Sequence, residues 1–186
     1  MIIHGSIVKL CRVLSRKDSE SVTLALSALE TVKGMVKFVS INDIPCGDFN
    51  WIHNFLIYAP DISYRGFDIV PTLIEQNRML YPQYKFHVLD ITSSPPPYSD
   101  LIFAKDLFNH LLYVDIRKAL SKMKESGSKY LLASNNFSYT NEELAVNSGA
   151  CSRYLDLCSE PFNLRPPLWK SHYMGLWKFA DIEIED

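Results

Sequence analysis

The sequence predicts an α/β domain built on an open, mostly parallel sheet with helices on both faces. Three observations carry that expectation. Phe38 to Trp51 (F-V-S-I-N-D-I-P-C-G-D-F-N-W) reads as a buried strand, a tight acidic turn with one glycine, and the start of a helix. Beyond it, short apolar runs alternate with segments of helical periodicity, the pattern of parallel strands joined by crossover helices. Finally, Asp68 closes the second apolar run 21 residues after Gly47, near the spacing of roughly 20 at which an open α/β sheet places a carboxylate on a ribose.

Composition sets the bounds. The chain has 186 residues, 47% hydrophobic and 22% charged, enough for one domain spanning 1–186 with a full core. A formal net charge of -2 gives no broad electrostatic footprint for nucleic acid, so small or neutral ligands are the expected partners. Cys11, Cys46, Cys151 and Cys158 form no C-x-x-C pair and no zinc-like grouping with histidine, so reduced thiols in a cytoplasmic protein are expected, with no metal site. No apolar run is long enough to span a bilayer. Ile3, Ile7, Leu10 and Leu14 fall at helical spacing with basic residues between them. Two readings stand: a short helix packed on the domain, or one on a partner or membrane surface.

Taken in order, residues 21–36 have a helical apolar face (Val22, Leu26, Leu29, Val36), with Gly34 as the expected stop. The stretch to about residue 36 thus reads as a helical cover ahead of the first strand. In the turn that follows that strand, Gly47 allows the backbone to approach a ligand, and Asp48 is placed to cap a helix whose free N–H groups attract carboxylate or phosphate. Phe49, Ile52 and Leu56 form one face of that helix, and Pro60 lies beyond its end. Residues 63–69 are the second strand. Pro71 suits the first turn of a helix to about Leu80, and residues 85–90 are the third strand.

Ser93-Ser94-Pro95-Pro96-Pro97-Tyr98 reads as a rigid connection, because the apolar run Leu101 to Ala104, the fourth strand, comes only after the tyrosine. That strand leads into Lys105-Asp106-Leu107-Phe108-Asn109-His110, on the side of the sheet where ligands bind. Ile116, Ala119, Leu120 and Met123 define the clearest helix, with Asp115 as its expected cap and Gly127 as its stop. Residues 129–134 are the fifth strand. A polar loop follows, and Tyr154 to Leu157 and Gly175 to Phe179 are the remaining strand candidates.

The ordered elements Asp43-Ile44-Pro45-Cys46-Gly47-Asp48-Phe49-Asn50-Trp51, Gly66-Phe67-Asp68-Ile69-Val70-Pro71, Leu89-Asp90, Lys105-Asp106 with His110-Leu111, and Ser126-Gly127-Ser128-Lys129-Tyr130-Leu131-Leu132 resemble those of class I S-adenosylmethionine (SAM)-dependent methyltransferases of a small, single-domain type. A dinucleotide fingerprint G-x-G-x-x-G is absent. The resemblance runs from about Phe38 to Phe179. The departures are Lys105 in place of an arginine, a missing second glycine in the first motif, and Cys151-Ser152 where glycine-tryptophan is usual.

The resemblance implies a Rossmann-like seven-stranded sheet with an antiparallel last strand. It also implies SAM as cofactor and S-adenosylhomocysteine as product. The methionine end would lie at Asp43, Pro45, Gly47 and Asp48, the ribose on Asp68 and Ile69, and the adenine beside Asp90 and Ile91. Trp51 and Lys105 border the same site, although Trp51, like Phe49, also reads as a core residue. Asp68 and Asp90 taken alone are ordinary loop or turn acids. Asp106 and His110 are the candidate bases for a hydroxyl acceptor, and bracing of the loop is the competing role for each. The expected reaction is O-methylation of a small molecule, a sugar or glycan hydroxyl first among them, because similar modules occur beside glycosyltransferases. The alternatives are a non-catalytic binding or scaffold protein of the same fold and another nucleotide-binding enzyme.

Overall fold

The computed structural model describes residues 20–144 and 152–184. The basic apolar stretch before residue 15, together with Cys11 and Cys151, lies outside them. Helix α1 (Glu20–Val36) buries Val22, Ala25, Ala28, Leu29 and Val32. Gly34 does not stop it. The chain turns at Lys37, whose φ of 46 is left-handed and whose N–H returns to the Lys33 carbonyl at 3.2 Å.

The strands and helices then alternate as β1 (Ser40–Asp43), α2 (Ile52–Ile57), β2 (Ser63–Asp68), α3 (Pro71–Leu80), β3 (Lys85–Val88), β4 (Leu101–Ala104), α4 (Tyr113–Glu125) and β5 (Tyr130–Ser134). The chain closes with β6 (Trp169–Lys170) and β7 (Met174–Lys178). Pro71 takes the first turn of α3, where its missing N–H leaves no hydrogen bond unmade. Gly127, with φ 72, follows α4.

The seven strands form one sheet in the order β3-β2-β1-β4-β5-β7-β6. β1 to β5 run parallel, and β7 is antiparallel to both β5 and β6. Strand alternation divides the core in two. Leu101 and Phe103 point to the face covered by α1, α2 and α3, with Ile41, Tyr64, Phe86 and Leu132. Ile102 and Ala104 point to the other face, covered by α4, with Leu131, Ala133 and Trp177. Central strands buried on both faces explain why residues 101–104 read as an unbroken apolar run.

Phe49 is fully buried among Tyr64, Tyr81, Tyr84 and Phe86, with ring centroids 4.8–5.1 Å away. Its φ of 57 turns the chain so that the ring enters this core. Gly66 on β2 is required by packing, because a Cβ there would meet Phe86 at 2.7 Å and Cys46 at 3.0 Å.

Three expected local features are absent. Asp48 does not cap α2, which has only six residues and no side-chain cap, so no helix-terminus anion site exists there. Asp115 sits inside the first turn of α4 and pairs with Lys118, while Glu143 accepts the Tyr113 N–H from across the fold at 2.9 Å. Residues 154–157 form no strand, and the strand before β7 is 169–170. Side chains replace ladder bonds there. The Asn135 oxygen accepts the Leu157 N–H at 2.7 Å, the Asn136 oxygen that of Leu155 at 3.1 Å and the Asn141 oxygen that of Asp156 at 2.8 Å.

Candidate active site

Parallel strands deliver their C-terminal ends to one edge of the sheet, and the candidate residues gather there. Asp43 ends β1 beside Gly66 and Phe103. Its side chain is buried and accepts the Tyr64 hydroxyl at 2.7 Å, while its other oxygen, Oδ1, has no partner among the described residues. Burial pushes this carboxyl up to about 8, with the Asp68 charge adding to the shift and the Tyr64 hydroxyl and Lys105 opposing it.

The turn after β1 is tied to β2. The Cys46 N–H donates to the Phe67 carbonyl at 2.8 Å, and the Gly47 N–H to Asp68 at 3.2 Å. Asn77 of α3 holds the Gly47 carbonyl at 2.7 Å. Gly47 is left-handed, with φ 54, and its Cα faces open space, so the turn presents bare backbone at the crevice. Pro45 is half-buried in that turn, and Asp48 accepts from the Asn50 backbone and amide at 3.2 and 2.7 Å.

Asp68 also accepts the Val70 N–H at 3.0 Å, next to the partly exposed Ile69. Desolvation raises its carboxyl above the ordinary range, although the hydrogen bonds from Val70 and Gly47 oppose that. Each of its oxygens keeps a lone pair for a further donor. Asp90 lies beyond β3, with Ile91 buried behind it. Burial opposes its charge, yet donors from Thr92 and Ser93 at 2.6–2.9 Å outweigh that and hold its carboxyl below the usual range. Asp90 therefore organises its own turn.

A second group forms where β4 ends. Lys105 is buried and ion-paired with Asp106. Its ammonium lies 5.7 Å from the Trp51 ring centroid and 5.9 Å from that of Tyr173, a cation flanked by two aromatic faces. Trp51 in turn packs against Phe103. Asp106 has a left-handed φ of 55. Its N–H donates to the Ser134 hydroxyl at 3.0 Å, and its carboxylate accepts the Tyr173 hydroxyl as well as Lys105. Both oxygens are thus engaged. His110 closes a short 3₁₀ turn, Phe108–His110, with its N–H on the Leu107 carbonyl at 3.1 Å.

Sequence reasoning missed Tyr173 and Ser134, because their contacts depend on the pairing of β7 with β5 and not on local spacing. It also missed Asp156, which accepts from Asn135, Ser138, Cys158 and Ser159 at 2.7–3.1 Å and fixes the segment beyond β5. Among the described residues, no group of three His, Cys, Asp or Glu is placed to hold a metal ion, and no helix is long and apolar enough to cross a membrane.

No protein-family model matches the sequence, and no curated protein matches it. Solved structures do match in fold. The methyltransferase domain of bacterial CtHen1 superposes with a TM-score of 0.53 at 13% identity, over 62% of this chain and 67% of that one. An amino pentose methyltransferase from Micromonospora echinaspora, solved with SAM bound, gives 0.53 at 17% identity, over 63% and 51% of the two chains. A dimethyltransferase of 8-amino-8-demethyl-D-riboflavin from Streptomyces davawensis gives 0.51 at 15%, over 64% and 39%. With its strand order and the antiparallel β7, this chain has the fold of class I SAM-dependent methyltransferases.

Proposed function

We propose that the protein transfers a methyl group from SAM to a hydroxyl oxygen of a small-molecule acceptor, a sugar or glycan first among the classes to test. The unpartnered Oδ1 of Asp43 carries this reading. A buried carboxyl oxygen without a donor, next to an open glycine turn, fits a ligand that brings an ammonium group, as the methionine end of SAM does. The remaining lone pairs of Asp68 suit two ribose hydroxyls, with Ile69 alongside, and Ile91 gives an apolar wall for adenine beside Asp90. Pro45, Gly47 and Asp48 shape the turn that receives the methionine end, while Trp51 and Lys105 border the reacting centre. When bound, SAM supplies an electrophilic methyl on a sulfonium and leaves as S-adenosylhomocysteine.

The chain's own work is mainly positional, since in-line displacement needs donor and acceptor held collinear and dry. Because Lys105 and Tyr173 already occupy the carboxylate of Asp106, we assign Asp106 to positioning and His110 to accepting the acceptor's proton. Support for a sugar comes from one neighbour of the same fold, which acts on an amino pentose. The test is transfer from methyl-labelled SAM to a panel of sugar and other hydroxyl acceptors. His110→Gln should lower turnover by about 10²-fold or more with SAM affinity kept, while Asp106→Asn should change turnover and SAM affinity together. SAM binding without transfer to any acceptor supports the non-catalytic reading instead.

A further inference from the structure

Near the candidate base, a buried cation has donors left over. The Arg153 side chain is 10% exposed. It gives one Nη–H to the Leu111 carbonyl at 2.7 Å and lies over the Tyr113 ring at 4.9 Å. Among the described residues, its Nε and Nη1 have no partner, and neither does the Tyr113 hydroxyl. The nearby carboxylate of Glu143 is 3.7 Å from Arg153, too far for a hydrogen bond. Glu143 instead accepts the Tyr113 N–H in the first turn of α4 at 2.9 Å and its neighbour Leu144's N–H at 2.7 Å.

A helix N-terminus and a guanidinium with two unused donors therefore meet at Glu143, beside the Tyr113 ring. Together they present positive charge to a single carboxylate that cannot satisfy them. The backbone places this cluster on the ligand side of the sheet, because residues 108–113 follow β4 and the Arg153 N–H donates to the Asn109 carbonyl at 3.1 Å. The Asn109 side-chain oxygen, also without a donor among the described residues, suits a ligand hydroxyl.

We propose that Arg153, Tyr113 and the first turn of α4 form an oxyanion subsite for the methyl acceptor, in which a phosphate or carboxylate of the ligand replaces Glu143. Glu143 is 44% exposed, so its carboxylate is rehydrated at small cost when displaced. An oxyanion that takes the Tyr113 N–H from Glu143 would lie beside the Arg153 guanidinium without the tether to Leu144 that holds Glu143 at 3.7 Å. This role of acceptor recognition rests on the methyltransferase reading, but the anion site itself does not.

The experiment is calorimetric titration of glucose 1-phosphate, glucuronate and neutral glucose at fixed ionic strength, with SAM titrated separately into the same proteins. One anion should saturate where glucose does not, and which one does assigns a phosphorylated or a carboxylate-bearing acceptor. Glu143→Gln, at an exposed position, should tighten that anion by about two- to fivefold by removing the competitor. Arg153→Lys should weaken it about tenfold or more, since lysine lacks the planar fork. Anions no better than glucose, or an unchanged affinity in Glu143→Gln, overturn the subsite. If SAM binds and neither anion does, only the subsite fails. If an anion binds and SAM does not, only the methyltransferase reading fails.

Discussion

If Asp43 pairs with the ammonium of SAM as proposed, cofactor binding becomes a proton-releasing event. With its carboxyl pushed up to about 8, it is roughly nine-tenths protonated at pH 7 in the unliganded protein. Pairing with the ammonium of SAM requires the ionised form, so binding at pH 7 should release close to one proton. Ionising the carboxyl at that pH costs about 1.4 kcal/mol, one pK unit, which is withdrawn from the affinity. Affinity should therefore rise by up to about tenfold per unit between pH 6 and 8 and level off above.

Titrations in two buffers of different ionisation enthalpy measure the proton count directly. Asp43→Asn should bind SAM about tenfold or more weakly at pH 8 and release no proton. Stability follows the opposite trend. The folded pKa is raised, so the native state holds the extra proton between about pH 4 and 8, and stability from this group falls as pH rises through that window. Equal heats in both buffers with a flat pH profile would refute the pairing of Asp43 with a ligand cation.

Three further outcomes follow from the same geometry. Asp68→Ala should weaken SAM by about 1.5–3 kcal/mol, because it removes a charge-assisted acceptor and frees the Gly47 N–H; calorimetry checks it, and unchanged affinity refutes the ribose assignment. Trp51→Phe should lower the melting temperature while SAM affinity stays within about threefold, since Trp51 packs on Phe103; thermal unfolding with and without SAM separates the two effects. Asp100, at the opposite end of the sheet, joins β1, β4 and β5 by accepting from Val39, Ser40, Tyr98 and Lys129. Burial opposes its charge, but those donors hold its carboxyl well below the usual range, so its stabilisation is present above about pH 4 and is lost as pH falls. Asp100→Ala should cost about 2–4 kcal/mol in denaturant unfolding at pH 7 and leave SAM affinity unchanged.

What was legible in the sequence was what local periodicity encodes. Central strands such as residues 101–104 and 130–134 are buried on both faces, so their apolar runs mark them unambiguously. Asp68 at the end of β2 was visible through its spacing from Gly47, and Asp43 at the end of β1 through the resemblance of its turn to a methyltransferase motif. Features set by distant chain were not. Glu143 reaches the α4 terminus from 30 residues away, which hides it behind the nearer Asp115. The Asn135, Asn136 and Asn141 amides substitute for a strand ladder at 155–157, so a segment with strand-like composition is not a strand. Gly34 looked like a stop because glycine favours helix ends, yet α1 runs to Val36 and the left-handed residue is Lys37. The engagement of Asp106 by Tyr173 depends on the pairing of β7 with β5, which local spacing does not show.

Direct titration of SAM and S-adenosylhomocysteine into the purified protein, with NAD as the comparison ligand, tests the central claim. Saturable one-to-one binding of both adenosyl compounds, lost or strongly weakened in Asp43→Asn and Asp68→Ala and absent for NAD, is the predicted result. Binding of NAD in preference to SAM, or no SAM binding up to millimolar concentration by a folded protein, would contradict it.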